Sequence, residues 1–257
     1  CFSLINAAKG CNLRTAGRPM ALFIKTVQHD ESRRVASGVV CRRPGKVTMD
    51  PKEISDQECA EGAASAYKGI VNFFFELGML KRTPRSGFQF LRSGQESVAE
   101  HSFRVTLIGF TLARLSPQAD PYRVVSLCLF HDVPEARTGD LNYVNKQYVE
   151  VREQQAIDDL AKTLPFGDDF RGLLAEYRAN ETLEARLAHD ADQLDLILEL
   201  KEQYDLGNIY ANQWIHFVRK RIVTDIGKEL AARILAVDST AWWFEGHDDW
   251  WRKRHEG

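Results

Sequence analysis

From residue 56 onward, apolar side chains recur at intervals of three and four, the period of helices that each bury one face. Ala63–Leu80 carries Tyr67, Ile70, Val71, Phe74, Phe75 and Leu77 on this pattern, and Gly78 followed by Pro84 predicts its end. Val98–Leu115 predicts a second helix, with Val105, Ile108, Leu112 and Leu115 as its apolar stripe. Pro117 and Pro121 then interrupt the pattern. Tyr122–His131 is apolar on nearly every side and is therefore expected to be the central buried helix. Further helices are expected over Glu150–Thr163, Asp168–Arg178, Leu183–Tyr204, Ile209–Arg219 and Thr224–Val237. Strand-type alternation is nearly absent and no internal repeat stands out. The expectation is one all-α domain, a compact multi-helix bundle over residues 49–257. No apolar run approaches the roughly 18 residues that a membrane-spanning helix requires, so no membrane partner is expected.

Residues 1–48 break the pattern. They have little periodicity and hold nine basic residues against Asp30 and Glu31, a balance of +7. The other 209 residues hold 34 acids and 25 bases, a balance of −9, so a total of −2 hides a basic segment joined to an acidic body. The segment is expected to lie outside the fold. An organelle transit peptide, a disordered tail and non-native sequence upstream of a true start near Met49 all fit it. An acidic body argues against a nucleic-acid partner, because no basic face covers it. The five cysteines, Cys1, Cys11, Cys41, Cys59 and Cys128, form no CxxC pair. Neither a disulfide framework nor a zinc site is expected, which favours a reducing compartment such as the cytoplasm, with organelle targeting by the basic leader as the lesser alternative.

Three of the seven histidines sit beside carboxylates in expected helices: Glu100-His101, His131-Asp132 and His189-Asp190-Ala191-Asp192. His131-Asp132 is the sharpest of these. It ends the most apolar helix, where a charged Asp is costly unless paired or bound to a metal. Pro134 disfavours regular helix at Val133, which lets adjacent side chains converge on one ion. Glu135 lies four residues beyond His131 and so stays near the same place. Imidazole and carboxylate together suit a divalent transition ion such as Co, Mn, Fe, Ni or Zn. A lone His-Asp pair also arises by chance, and His247-Asp248 is read as one.

The order His101, His131-Asp132, Asp192 resembles the H…HD…D skeleton of the HD-domain metal-dependent phosphohydrolases. Leu-Lys-Arg-Thr-Pro-Arg-Ser-Gly at 80–87, Glu-Ser-Val-Ala-Glu-His-Ser at 96–102, His-Asp-Val-Pro-Glu-Ala-Arg-Thr-Gly-Asp-Leu at 131–141 and Ala-Asp-Gln-Leu-Asp at 191–195 are similar to the HD-domain 5′-deoxynucleotidases. The resemblance covers about 80–220. It implies an HD-domain bundle with His101, His131, Asp132 and Asp192 as metal ligands and Glu135 as the catalytic glutamate. It places Arg85 near the phosphate and Asp140 on the deoxyribose. Phe88 stands where the family often has Trp, which bears on sugar selection, and Lys146 is a second candidate for the phosphate. Asp190 and Asp195 rank below Asp192, and His189 is read as supporting or solvent-facing. Ala136 after Glu135 departs from the HDxxED of alarmone hydrolases.

The implied activity is a metal-dependent phosphomonoesterase that converts deoxynucleoside 5′-monophosphates to deoxynucleosides and phosphate. Other HD phosphohydrolases acting on nucleoside triphosphates or cyclic nucleotides, and a non-catalytic nucleotide sensor, are the alternatives. The resemblance also implies a homodimer. Trp214, Trp242, Trp243, Trp250 and Trp251 are expected to pack on the body or on a dimer partner, with base stacking the lesser reading. Arg219-Lys220-Arg221 is read as a solvated helix end, and Cys128 as a core residue without nucleophilic character.

Overall fold

The computed structural model describes residues 67–246. Helix follows helix: α1 (residues 67–77), α2 (Phe88–Leu91), α3 (Val98–Arg114), α4 (Pro121–Phe130), α5 (Glu135–Thr138), α6 (Glu153–Ala161), α7 (Gly167–Ala179), α8 (Leu183–Asp205), α9 (Ile209–Val218), α10 (Asp225–Ala236) and α11 (Ala241–Phe244). Among the described residues, extended pairing amounts to one antiparallel bridge, Pro84 with Ser97.

Polar caps fix where the long helices start. Ser97 closes a capping box: its hydroxyl accepts from the Glu100 N–H at 3.2 Å, and the Glu100 carboxylate accepts from the Ser97 N–H at 2.7 Å. Asp120 accepts from the N–H groups of Tyr122 and Arg123 and precedes Pro121, whose fixed φ suits a first helical residue. Thr182 accepts from the Ala185 N–H at 3.0 Å and opens α8.

The central helix is α8, against which α3, α4, α7, α9 and α10 all pack. This corrects the expectation for residues 122–131. α4 buries Val124, Leu127 and Cys128 against its neighbours, but Tyr122 is 77% and Leu129 49% exposed. Its all-round apolar character exceeds the helical surface available to cover it. α8 instead buries more than one face, including the polar Asp190, Asp195, Lys201 and Gln203. α3 and α4 approach closely at Gly109, where a Cβ would lie 2.4 Å from the Cys128 sulfur. Burial, with Asp192 nearby, pushes the Cys128 thiol far above its ordinary pKa, as a packing role requires.

Two apolar clusters result. One joins α3, α4, α8, α9 and α10; the other gathers Phe73, Leu80, Ile157, Leu160, Phe170 and Leu174 around α1, α6 and α7. Phe130 packs against both, and the next apolar residue, Val133, is buried in the second. The irregular turn between them, His131-Asp132, is thus anchored on both sides.

α6 starts at Glu153 rather than residue 150, because its buried stripe begins only at Ala156. The expected packing of Trp242 on the body is not found, since Trp242 is 82% exposed on α11. The basic segment 1–48, His247-Asp248, Trp250 and Trp251 lie outside the described residues.

Candidate metal centre and substrate cleft

His101 stands in the first turns of α3, His131 and Asp132 follow the end of α4, and Asp192 lies midway along α8. The packing of these three helices brings the four side chains together. His101 Nε2 is 3.2 Å from Asp192 Oδ1 and 3.6 Å from Asp132 Oδ2; His131 Nε2 is 3.2 Å from Asp132 Oδ2. The imidazole centres are 5.5 Å apart.

The rings are aimed from behind. His131 Nδ1 lies 2.7 Å from the Cys128 carbonyl oxygen, and His101 Nδ1 lies 2.6 Å from Asp195 Oδ2. Both acceptors call for a proton on Nδ1, an assignment made from these partners. Each Nε2 then faces the shared centre, and neither makes a hydrogen bond there although both are buried. Buried polar atoms are ordinarily satisfied. The two orphaned imidazole nitrogens and an Asp192 oxygen lie within 4.8 Å of one another, with Asp132 beside both rings, and this donor set fits a divalent transition ion. Ligating histidines characteristically donate their second N–H to a carboxylate or carbonyl in this way.

The charges point the same way. For Asp192 burial acts upward, but the adjoining His101, then His131 and Arg85, overcome it and hold the carboxyl at about 2. Asp132 is likewise held below its ordinary range: burial opposes ionisation, and His131, His101 and Arg85 outweigh it. For His101, burial and Arg85 act against the imidazolium, yet Asp192 and Asp195 raise it to about 10. Imidazole protons therefore balance the carboxylates, and a cation at the centre would take their place. Glu135 is different. Burial first, then the charges of Asp132 and Asp140, push its carboxyl well above the ordinary value, and its Oε2 is buried without a partner.

A second acidic group, Glu96 and Asp195 behind His101, already contains a cation. The Arg104 guanidinium donates to Asp195 and Glu199 and approaches Glu96 at 3.7 Å. Asp195, fully buried, thus links Arg104 to His101. Asp195→Asn, which keeps the shape, is expected to weaken cation affinity about tenfold or more. Competition against a chelator measures this.

A cleft of about 380 Å³ opens onto the cluster. Arg85 reaches Asp132 Oδ2 at 3.3 Å. Burial opposes its charge, and Asp132, Asp192, Asp140 and Glu135 more than restore it, so the guanidinium is held charged. Asp140 accepts from the Ser86 N–H at 2.7 Å and from its hydroxyl at 3.2 Å, tying the Thr-Gly-Asp turn to the segment after Arg85. Phe88, on α2, and the exposed Lys146, on a 3₁₀ turn, also line the cleft. All nine residues singled out in the sequence therefore meet in one place.

Others take roles that the sequence left open. His189 stacks on Tyr177 at 4.0 Å and bonds its carbonyl oxygen at 2.7 Å, and Tyr177 in turn packs 5.1 Å from His131. Tyr177 carried no sequence signal beyond helical spacing. Arg221 is not simply a solvated helix end, because it lines the cleft with Tyr143 and Trp214. Asp190 accepts from Val223 N, Thr224 N and the Thr224 hydroxyl, pinning the start of α10 to α8. Asp190→Ala would strand these donors. It is expected to lower stability by about 2–4 kcal/mol in denaturant melts while leaving cation affinity unchanged.

Residues 77–234 match the model of the HD domain. The chain is 29% identical over 148 residues to the 5′-deoxynucleotidase HDDC2 of Mus musculus, covering 54% of this chain and 72% of that protein. It is 31% identical over 153 residues to a 5′-deoxynucleotidase of Vibrio vulnificus, covering 53% and 77%. Among solved structures, a predicted metal-dependent phosphohydrolase from Magnetospirillum magnetotacticum superposes with a TM-score of 0.55 at 25% identity, covering 67% of this chain and 92% of the other. The matched stretch contains His101, His131, Asp132 and Asp192 together with the helices that bring them into contact, and the chain belongs to the HD-domain family.

Proposed function

We propose that this chain is a metal-dependent phosphomonoesterase of the 5′-deoxynucleotidase type, releasing phosphate from deoxynucleoside 5′-monophosphates. The observation that carries the reading is the pair of buried, unpartnered Nε2 atoms facing Asp132 and Asp192 beneath a cleft that contains Arg85, Glu135 and Asp140. In it, His101, His131, Asp132 and Asp192 hold a divalent transition ion: Co, Mn, Fe, Ni or Zn. Such an ion, when bound, lowers the pKa of a water and polarises the phosphoryl group.

The chain's own side chains do the rest. Arg85, held charged by the surrounding carboxylates, binds the phosphate oxygens and offsets the charge that develops on them; Lys146 adds to this from the mouth of the cleft. Glu135 moves a proton at Oε2, taking it from the attacking water or giving it to the departing 5′-oxygen. Burial, with Asp132 and Asp140, makes its carboxyl hold a proton more readily than an ordinary glutamate, as giving one to the 5′-oxygen requires. Asp140, fixed by Ser86, faces the deoxyribose, and Phe88 forms the apolar wall beside it. Names of relatives support the substrate class.

We further propose that the protein works as a homodimer in the cytoplasm. Phe103, Leu107 and Phe110 form an exposed apolar stripe along α3 that suits a second copy, and Cys128 is a free buried thiol. Light scattering reports the dimer. No described helix is long and apolar enough to cross a membrane.

The test is phosphate release from deoxyribo- and ribonucleoside mono-, tri- and cyclic phosphates with Co, Mn, Mg and Zn. Turnover of the deoxynucleoside monophosphates supports the reading. Activity confined to triphosphates or cyclic nucleotides, or inactivity with every metal, would overturn it.

A further inference from the structure

The wall of the cleft formed by Tyr143, Trp214 and Arg221 is aromatic and basic. Tyr143 and Trp214 meet edge to face, ring centres 6.4 Å apart at 73°. Arg221 Nη2 donates to the Tyr143 hydroxyl, and the guanidinium lies 5.3 Å from the Tyr143 ring centre. Its Nη1 donates to the Gln193 amide oxygen at 3.4 Å, and Gln193 donates to Asp192 at 2.8 Å. The corner is thus tied to a carboxylate of the metal cluster. It is also tied to the phosphate side: Trp214 packs so near Gly87, two residues after Arg85, that a Cβ there would lie 3.3 Å from the indole. Tyr143 remains 54% exposed, an unusual expense of aromatic surface unless something covers it.

We propose that Tyr143, Trp214 and Arg221 form a stacking corner that receives the nucleobase of the substrate without reading which base it is. The inference rests on the nucleotidase reading above. With phosphate at Arg85 and the sugar at Asp140, the base is the part of the substrate still without a partner. Bases share a flat polarisable face and differ at their edges in donors and acceptors. Two guanidinium nitrogens of Arg221 are already committed to Tyr143 and Gln193, which holds it as a plane for stacking rather than as a reader of edges. Stacking tolerates every base because each has a π face.

The test compares dAMP, dGMP, dCMP and dTMP with 2-deoxyribose 5-phosphate, which keeps sugar and phosphate but lacks the base. In Trp214→Ala, the ratio of nucleotide to base-free kcat/KM is expected to fall about tenfold or more for all four nucleotides, with the loss in KM. Trp214→Phe should restore much of it. Tyr143→Ala, at an exposed position, should lower the same ratio and guards against a folding defect at Trp214. An unchanged ratio in both variants, or a loss confined to one base, overturns the stacking corner alone. A parent enzyme inactive on all five compounds overturns the functional reading and this proposal with it.

Discussion

Replacing Asp132 with alanine is expected to abolish both cation binding and phosphate release. Among the described residues, Asp132 Oδ2 is the one carboxylate oxygen within 3.6 Å of both imidazole Nε2 atoms, and it also receives Arg85 at 3.3 Å. Its removal deletes a ligand, leaves two buried imidazoles without their counter-charge and frees the guanidinium to move into the cluster. Loss of a side chain that only orients a ligand costs about 10- to 100-fold in affinity; loss of a ligand at the centre of the cluster should exceed that. Equilibrium dialysis with Mn or Co measures the affinity, and a melting curve checks the fold. Retention of parental cation affinity would remove Asp132 from the ligand set.

Glu135→Gln is expected to separate chemistry from binding. Its carboxyl lies one helical turn beyond His131, on α5, with its raised pKa caused first by burial and then by Asp132 and Asp140. The amide keeps the shape and loses the proton. Cation affinity should match the parent, while kcat falls by a factor of about 10²–10⁴, the usual worth of a positioned acid or base. Glu135→Ala should behave alike. A fully active variant would remove Glu135 from the proton path.

The H…HD…D order could be read from the sequence because metal ligands have few chemical substitutes and Pro134 marks the broken helix between them. α3 showed its stripe. The identity of the central helix was hidden for a physical reason. Periodicity reports how apolar a face is, and α8 buries Asp190, Asp195, Lys201 and Gln203, which dilute its apolar signal. The two aspartates are satisfied by partners distant in sequence: Asp195 by His101 and Arg104, Asp190 by residues 223 and 224. α4 misled in the opposite sense, since its exposed Leu129 looks like core when counted alone. The one-turn helices α2 and α5 are too short to show a period. Arg221, Tyr143 and Trp214 meet only because the turn after α9 folds toward the loop that follows the Thr-Gly-Asp segment.

In the proposed metal centre, four side chains from three places in the chain hold one cation. Diffraction from crystals soaked in Co or Mn, measured at the absorption edge of the metal, tests it most directly. A single anomalous peak is expected within about 2.0–2.5 Å of His101 Nε2, His131 Nε2 and one oxygen each of Asp132 and Asp192. A peak elsewhere, or an occupied ion that omits either histidine, would contradict it.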